Sequence, residues 1–567
     1  MRVFVHKRKA ARIWGDFMSK SDEGYKSFDS SGKMIRTGRG CIGENGIVAA
    51  GKYEASKAGI EILKRGGNAF DAAVAVGFVI GVCEPNASGL GGGGFMTARF
   101  SETGENIFVD FREVAPKMAR PDMWETGNDG EIVNNENLFG GKAVGVPGEA
   151  AGLIYILEHY GTMSLEAVME PAIRIALEGY AVSPLLAEDM RENISELRKY
   201  EATARTYLKN NNPYTAGEII KNPDLANTLR MIAEGGKDAF YKGEVAKSIV
   251  KSVQAAKGVL TMEDLAGYRV RVRRPVSGSY RGYEIVSSPP PSSGGTHLIQ
   301  ILNLLECFDV GATKVNSAGY LHLLSEAFKL CYADRAEYMG DTDFVRVPLY
   351  GLVSKAYAKK LARKIDIEKS QEYKCNDPWA YEHKDTTHFS VVDKAGNLVA
   401  VTQTIDHFFG SCIVAEGTGI ILNNQMSDFS FGCNKANSIA PCKKPLSSMS
   451  PTLILKEGKP FMVLGSPGGS KIISSLVQVI SKVIDHNMEI QEAVEAPRIS
   501  DDTENKILYE SRISDEAIKR LREMGHEALK IDAWDRQMGS VQAVRFEDNG
   551  ILCGAADPRR DGKALGY

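Results

Sequence analysis

The sequence predicts a mixed α+β fold, and three observations support that prediction. Residues 387–405 form two runs rich in β-branched residues around a short turn, a pattern typical of a β-hairpin. Between residues 148 and 365, apolar residues recur mainly at helical spacing. Further short β-rich segments lie on both sides of this helical region. The 567 residues, 43% of them hydrophobic, can bury a large core. Length alone suggests several domains, although a large two-layer sheet could hold most of the chain.

The folded part is expected to begin with a short strand at residues 46–50. A helix follows over residues 55–63, and the pair Gly66 and Gly67 ends it. The apolar run 69–83 predicts a buried helix, because it is shorter than the roughly 20 residues that cross a membrane.

Glycines crowd residues 89–94, and no Gly-Lys-Ser/Thr follows them. We therefore interpret this run as a closely packed turn rather than a phosphate-binding loop. Residues 107–113 then alternate as a strand, which places Arg112 on the face opposite Phe111. Taken by itself, an arginine at this position would most often be a surface ion-pair partner.

The middle of the chain predicts a series of helices. They are expected over residues 148–160, 164–179, 183–200, 224–234 and 316–339. The proline-rich segment 287–295 cannot be a helix or a central strand, and it separates a strand from a helix over residues 296–307. Residues 366–384 are polar and are expected to be exposed.

Thr386 and Thr404 each lie nine residues from Ala395, the centre of the expected hairpin turn. In an antiparallel ladder centred there, their side chains would oppose each other about 5 Å apart. By itself such a pair is ordinary sheet packing. A threonine that starts a chain is different, because its own α-amine, with an unperturbed pKa of about 7.7–8.0, can activate its hydroxyl.

After the hairpin, a strand at residues 461–464 leads through Gly468 and Gly469 into a helix that begins at about Lys471. Backbone N–H groups at such a turn can bind an anion at the helix N-terminus. The same pattern also describes a plain strand-to-helix turn, and the residues alone leave both interpretations open.

The segment Asp385–Asp393 resembles the processing site of the γ-glutamyltransferase (γ-glutamyltranspeptidase) family of N-terminal-nucleophile hydrolases. Further segments resemble other motifs of that family, in the family's order, so that the resemblance covers about residues 46–567. These segments are residues 84–95, 110–116, 287–295, 417–429 and 555–560. The resemblance implies an α+β fold, the four-layer αββα sandwich of N-terminal-nucleophile hydrolases.

It also implies self-cleavage between Asp385 and Thr386. A polar extension (residues 1–45) would precede the remainder of the large chain (residues 46–385), and residues 386–567 would form the small chain. Both chains would stay interlocked in one fold as a heterodimer.

The same resemblance implies a reaction and a role for each site residue. Thr386 attacks the Asp385 carbonyl in the precursor and later a γ-glutamyl amide such as that of glutathione, passing the acyl group to water or to an amino acid or peptide amine. Thr404 orients the Thr386 hydroxyl, and the N–H groups of Gly468 and Gly469 hold the oxyanion. The donor α-carboxylate is bound by Arg112, Ser447 and Ser448. The donor α-ammonium is bound by Asp406, Gln425 and Asp428. No metal or cofactor is implied.

The charge and cysteine content of the chain limit the classes of partner and compartment that we expect. A net charge of −3 disfavours nucleic-acid binding, and the basic run 269–274 alternates as a solvated edge strand. Nine cysteines without metal or disulfide spacing suit the reduced thiols of a cytosol. Residues 1–20 lack the apolar stretch of a secretory signal, so we expect a cytoplasmic protein that acts on small molecules away from membranes.

Two departures from the family's common pattern bear on specificity. Asp406 stands where family enzymes that use glutathione usually have asparagine, although a carboxylate can still accept a hydrogen bond from an ammonium. Two acids near one ammonium could also raise one of their pKa values. Residues 429–445 are shorter than the lid of many bacterial members. A shorter lid opens the site to bulkier donors, so poly-γ-glutamate and acyl amides remain alternative substrates.

The alternative function is a related amidohydrolase or acylase acting on glutaryl- or oxamate-type amides. Gln425 and Asp428 argue against it, because a substrate without an ammonium would not need them. A third possibility is an uncleaved structural or binding relative, which would remain one band on a denaturing gel.

Overall fold

Two seven-stranded antiparallel sheets form the centre of the computed structural model, which describes residues 38–127, 131–373, 385–501 and 506–567. Sheet A has the strand order β1 (Cys41–Gly43), β20 (Leu552–Ala556), β19 (Gln542–Phe546), β15 (Lys459–Gly465), β14 (Thr452–Lys456), β11 (Tyr283–Ser287), β10 (Val276–Tyr280). Sheet B has the order β21 (Lys563–Gly566), β2 (Ile47–Ala50), β12 (Asp385–Val392), β13 (Leu398–Asp406), β3 (Gly93–Arg99), β4 (Asn106–Phe111), β9 (Arg271–Arg273). A three-stranded sheet joins β16 (Ile499–Ser500), β17 (Lys506–Glu510) and β18 (Glu527–Ile531). Two small pairs are β5 (Tyr180–Ala181) with β8 (Ile219–Ile220), and β6 (Leu208–Lys209) with β7 (Asn212–Pro213).

Helices pack on both sides of this pair of sheets. One group shares a core with sheet B: Tyr53–Lys64, Ala69–Cys83, Glu149–Tyr160, Leu165–Glu178, Pro184–Glu192, Ile194–Leu197, Glu201–Tyr207, Pro223–Tyr241, Glu244–Ala255 and Met262–Gly267. The other group lies on the side of sheet A: Gly294–Leu305, Ala318–Tyr338, Leu349–Leu352, Lys355–Ala362, Lys471–Ile484, Ile490–Glu495 and Asp515–Glu523. None of the helices in the described ranges is both long and apolar enough to cross a membrane.

The alternation of side chains along each strand builds the layers. In β2, Val48 and Ala50 face the helical core of sheet B, whereas Ile47 and Ala49 join a core that also contains Leu453 from sheet A. Apolar side chains on both faces of each sheet therefore bury one core between the sheets and one under each helical layer. The predicted four-layer αββα sandwich is confirmed.

The predicted hairpin is formed by β12 and β13, which pair directly around the turn at residues 393–397. It lies inside sheet B rather than at an edge, because β2 pairs with the far end of β12 and β3 pairs along β13. The register shifts between Asp385 and Thr387, so one extra residue of β13 is accommodated opposite Thr386. This bulge lies beside the predicted nucleophile.

Three expected boundaries differ in the structure. Sheet pairing begins at Cys41 rather than near residue 46, because β1 pairs with β20. The strand expected over residues 107–113 ends at Phe111, so Arg112 lies just beyond it. The helix expected over 183–200 divides at Asn193, which caps two successive helices. Residues 1–37 of the predicted extension and 374–384 of the predicted exposed segment lie outside the described residues.

The glycine run at residues 89–94 allows the main chain to pack closely, as predicted. A Cβ on Gly91 would lie 2.0 Å from the carbonyl oxygen of Ile421, and one on Gly92 would lie 2.1 Å from that of Thr404. Side chains are therefore excluded where this segment meets the end of the hairpin.

Candidate active site

A buried cavity lies where the ends of β12 and β13 meet the loops after β4 and β15. Its lining residues are Arg112, Thr386, Thr404, Asp406, Gln425, Asp428, Ser447, Ser448, Met449, Gly469 and Ile472. The structure thus brings nine of the ten residues predicted for catalysis and substrate binding to one cavity, and Gly468 lies just outside its lining. Its volume of about 20 Å³ is room for roughly one water molecule. In this state, with Asp385 and Thr386 both in β12, the cavity is too small for a γ-glutamyl group.

The two predicted threonines are in direct contact. Thr386 Oγ1 donates to Thr404 Oγ1 at 3.3 Å, and the N–H group of Asp406 donates to the same Thr404 oxygen at 2.8 Å. Arg560 donates to the carbonyl oxygen of Thr386 at 2.8 Å and so fixes the peptide that follows the nucleophile. Thr386 is 4% exposed, which shields its hydroxyl from bulk water.

Arg112 and Asp428, which both line the cavity, form an ion pair with each other. Arg112 donates to Asp428 Oδ2 through a short contact, and Gln425 Nε2 donates to the same oxygen. The Arg112 guanidinium also donates to the carbonyl oxygen of Leu446 at 3.1 Å. Arg112 is therefore buried with its charge compensated, and a ligand carboxylate would have to share it with Asp428.

Asp406 points its carboxylate into the same cavity. Its backbone φ is +80°, a left-handed conformation that aspartate and asparagine adopt more readily than most residues. Ser427 donates its hydroxyl to Asp406 Oδ2. Asp406 and Asp428 together give this part of the cavity two buried carboxylates.

Ser447 and Ser448 present their hydroxyl groups from the loop before β14. The N–H group of Met449 donates to Ser447 Oγ at 3.1 Å, and Arg335 donates to Ser448 Oγ at 3.0 Å. Both serine oxygens therefore accept a hydrogen bond from the protein. Their hydroxyl hydrogens are left to donate elsewhere, as carboxylate binding requires.

Gly468 and Gly469 form the turn between β15 and the helix Lys471–Ile484, with φ values of +127° and +57°. Glycine is needed there because other residues rarely adopt such backbone angles. Within the described ranges, neither N–H group donates to a protein acceptor. Gly469 lines the cavity, so the turn has the composition and position of an oxyanion hole.

Two carboxyl groups next to Arg112 differ in ionisation. Glu113 is fully buried and has no hydrogen-bond partner among the described residues, and burial raises its pKa to about 7. Burial also acts to raise the pKa of Asp110, but Lys444 at 2.6 Å and Arg273 at 2.8 Å lower it below its ordinary value. Glu113 can therefore carry a proton near pH 7, while Asp110 stays ionised.

His388 of the predicted processing motif has a structural role. Its ring lies within hydrogen-bond distance of Thr402 Oγ1 at 2.8 Å and Ser390 Oγ at 3.1 Å, and burial lowers its pKa to about 3. A Cβ on Gly465 would lie 2.3 Å from this ring, so His388 fills the space between the two sheets. It does not line the cavity.

Comparison with known proteins decides the family. The family model described as gamma-glutamyltranspeptidase matches residues 55–567, nearly the whole chain. The chain belongs to the gamma-glutamyltranspeptidase family. The cavity that contains the threonine pair is therefore the candidate active site of this family member.

Proteins that are similar to this chain carry both glutathione hydrolase and acylase names. A glutathione hydrolase proenzyme of Escherichia coli (strain K12) is 44% identical over 540 residues, covering 92% of each chain. An acylase ACY 1 proenzyme of Pseudomonas sp. (strain SE83) is 39% identical over 526 residues, covering 92% of this chain and 93% of the relative. The crystal structure of a cephalosporin acylase from Bacillus halodurans matches with a TM-score of 0.86 at 27% identity, covering 97% of this chain and 99% of the other.

Three residues that the sequence analysis did not predict for the site contact its residues without lining the cavity. Arg335 and Arg560 contact Ser448 and Thr386 respectively, and Glu113 lies 3.9 Å from Arg112. Arg560 belongs to the C-terminal motif 555–560, which was the one available signal for it. Arg335 lies in a long helix whose pattern shows only that the helix is buried.

Proposed function

We propose that this protein is a γ-glutamyltransferase and glutathione hydrolase that uses Thr386 as an N-terminal nucleophile. The hydrogen bond from the Thr386 hydroxyl to Thr404, in a cavity that also holds Arg112 and Asp428, is the observation that carries the proposal. A nucleophile, a charge-matched amino-acid pocket and an adjacent pair of free N–H groups are the parts that acyl transfer from an amino-acid amide requires.

Maturation would begin with the continuous chain. The Thr386 hydroxyl oxygen bonds to the Asp385 carbonyl carbon, the carbon–nitrogen bond between these residues breaks, and the Thr386 nitrogen takes up a proton. Water then cleaves the resulting ester, which releases the Asp385 carboxylate and restores the Thr386 hydroxyl. The new α-amine lies on the nucleophile itself and serves as its base.

The mature enzyme would then transfer the γ-glutamyl group in two steps. Thr386 attacks the donor's γ-carbonyl, the Gly468 and Gly469 N–H groups hold the oxyanion, and the amine departs with a proton from the Thr386 amine. Water or an acceptor amine attacks the acyl-enzyme, gives up one proton and regenerates the Thr386 hydroxyl. Thr404 keeps the attacking oxygen in place through its hydrogen bond.

Donor recognition follows from the charges of the cavity. Arg112, with the hydroxyl groups of Ser447 and Ser448, supplies donors for the α-carboxylate. Asp406, Gln425 and Asp428 supply acceptors for the α-ammonium. A zwitterionic donor head would replace the present Arg112–Asp428 pair by two new pairs, so neither buried charge would lose its compensation.

A second candidate function is that of an acylase for glutaryl-type amides. One observation favours it: an acylase-named relative is 39% identical over 526 residues. Against it, the carboxylate of a donor without an ammonium would add a third negative charge beside Asp406 and Asp428, which is a costly arrangement of buried like charges.

Two measurements test the proposal: a denaturing gel tests self-cleavage, and a panel of amide substrates tests the donor. Dividing 61.8 kDa in proportion to 385 and 182 residues gives bands of about 42 and 20 kDa, and the smaller should begin at Thr386. Thr386→Ala should stay one inactive band of about 62 kDa, whereas Thr387→Ala, one residue away and outside the cavity lining, should still cleave. An active uncut chain would contradict the mechanism. A wild-type enzyme that prefers glutaryl or oxamyl anilides to the γ-glutamyl anilide would overturn the proposed donor.

A further inference from the structure

Arg335 is a buried arginine behind the wall of the cavity. It lies near the end of the helix Ala318–Tyr338 and is 5% exposed. Its Nε donates to Ser293 Oγ at 2.8 Å, and one of its terminal nitrogens donates to Ser448 Oγ at 3.0 Å. Ser448 lines the cavity, whereas Arg335 and Ser293 do not.

This contact determines which hydrogen bond the Ser448 hydroxyl can make. A serine hydroxyl has one hydrogen and two lone pairs, and a guanidinium only donates. The bond from Arg335 therefore occupies a lone pair of Ser448 and leaves its hydrogen free. Among the described residues that hydrogen has no protein acceptor, and the side chain faces the cavity. A carboxylate, which only accepts, is the complementary ligand.

Arg335 also holds the loop that carries the two serines. Its second partner, Ser293, donates through both its hydroxyl and its N–H group to the carbonyl oxygen of Ser447, at 2.7 and 2.8 Å. The hydroxyl groups of Ser288 and Ser292 donate to the carbonyl oxygen of Met449. The guanidinium thus joins the proline-rich loop to the segment that contains Ser447 and Ser448.

We propose that Arg335 is a positioning residue for the donor α-carboxylate. It keeps Ser448 oriented as a hydrogen-bond donor and adds a positive charge behind it, without contacting the substrate. The inference rests on the proposed function, because it assigns a supporting residue to the same donor pocket. Arg112 alone would not suffice there, since Asp428 already compensates its charge.

The experiment combines steady-state kinetics with a double-mutant cycle on the mature enzyme, using γ-glutamyl and glutaryl anilides. Arg335→Met should raise KM for the donor about tenfold or more with kcat little changed, as expected for loss of a charge-assisted hydrogen bond that acts on binding. Arg335→Lys, which keeps one donor and the charge, should lie between Arg335→Met and wild type. Ser448→Ala should raise KM similarly, and adding Arg335→Met to it should raise KM little further, because both changes remove one interaction.

The control is Arg174→Met, which removes a helix arginine that pairs with Glu61 and Glu170, all outside the cavity lining. Its KM should match wild type. Independent, multiplying effects of Arg335→Met and Ser448→Ala on KM would overturn the proposal, as would an unchanged KM in a correctly cleaved Arg335→Met. If Arg335→Met fails to fold or cleave, Arg335→Lys with Ser448→Ala closes the same cycle. Glutaryl anilides retain the carboxylate, so a wild type that prefers them would refute the donor assignment and leave the test of Arg335 intact.

Discussion

Glu113 allows a prediction whose size follows from the structure. Its side chain is fully buried, and among the described residues neither carboxylate oxygen has a hydrogen-bond partner. The nearest opposite charge is that of Arg112, with 3.9 Å between the Arg112 nitrogen and Glu113 Oε2, and Arg112 already pairs with Asp428. Burial consequently raises the pKa of Glu113 from 4.5 to about 7. Replacing Glu113 by glutamine removes this ionisation while keeping the shape of the side chain.

The sign of the effect follows from the protons bound. Between pH 4.5 and 7 the folded protein holds a proton on Glu113 that the unfolded chain releases, so the free energy of unfolding falls as the pH rises through this window. At 1.36 kcal/mol per pH unit, a pKa raised from 4.5 to about 7 costs about 3 kcal/mol above pH 7. Glu113→Gln should therefore be more stable than its parent by about 3 kcal/mol at pH 8, and nearly equal to it at pH 4.5.

Urea unfolding at pH 5 and pH 8 would measure this difference. The Thr386→Ala chain is the proper parent, because an uncut chain cannot separate into two. Asp110→Asn is a matched control: Lys444 and Arg273 lower the pKa of Asp110, so its stabilisation is present above the unfolded value of 3.8 and is lost only as the pH falls through the folded pKa. That variant should be less stable at both pH values. If the free energies of unfolding of Glu113→Gln and of its parent differ by the same amount at pH 5 and at pH 8, the reasoning is refuted.

Three further predictions concern the reaction. Thr404→Val should lower kcat about fivefold, because it removes a hydrogen bond of about 1 kcal/mol to the nucleophile, whereas Thr404→Ser and the control Thr402→Ala should stay near wild type. Arg112→Lys should raise donor KM with self-cleavage intact, since lysine lacks the two-pronged fork, and an unchanged KM would remove Arg112 from the carboxylate site. Asp406→Asn should reduce the ratio of kcat/KM for γ-glutamyl over glutaryl anilide. A wild type that takes both equally would show that Asp406 does not recognise the ammonium.

Local patterns in the sequence were enough to predict much of the fold. The apolar run 69–83 is a buried helix, and the hairpin of β12 and β13 has the predicted turn and places Thr386 against Thr404. These features succeed because side-chain periodicity and turn residues depend on neighbours close in sequence. The layer arrangement and most of the site residues were predicted instead from the resemblance to a family whose motifs occur in the same order in this chain.

Only the tertiary structure placed the hairpin inside sheet B, split the helix expected over 183–200, and showed which groups hold the site. Arg335 and Ser448 are 113 residues apart, and Arg560 lies 174 residues from the nucleophile whose carbonyl it binds. Such long-range contacts leave no periodic signal in the sequence, because the local pattern around each residue is the same whichever distant segment it contacts. The raised pKa of Glu113 likewise depends on burial by segments distant in sequence, and no window of sequence around it contains that information.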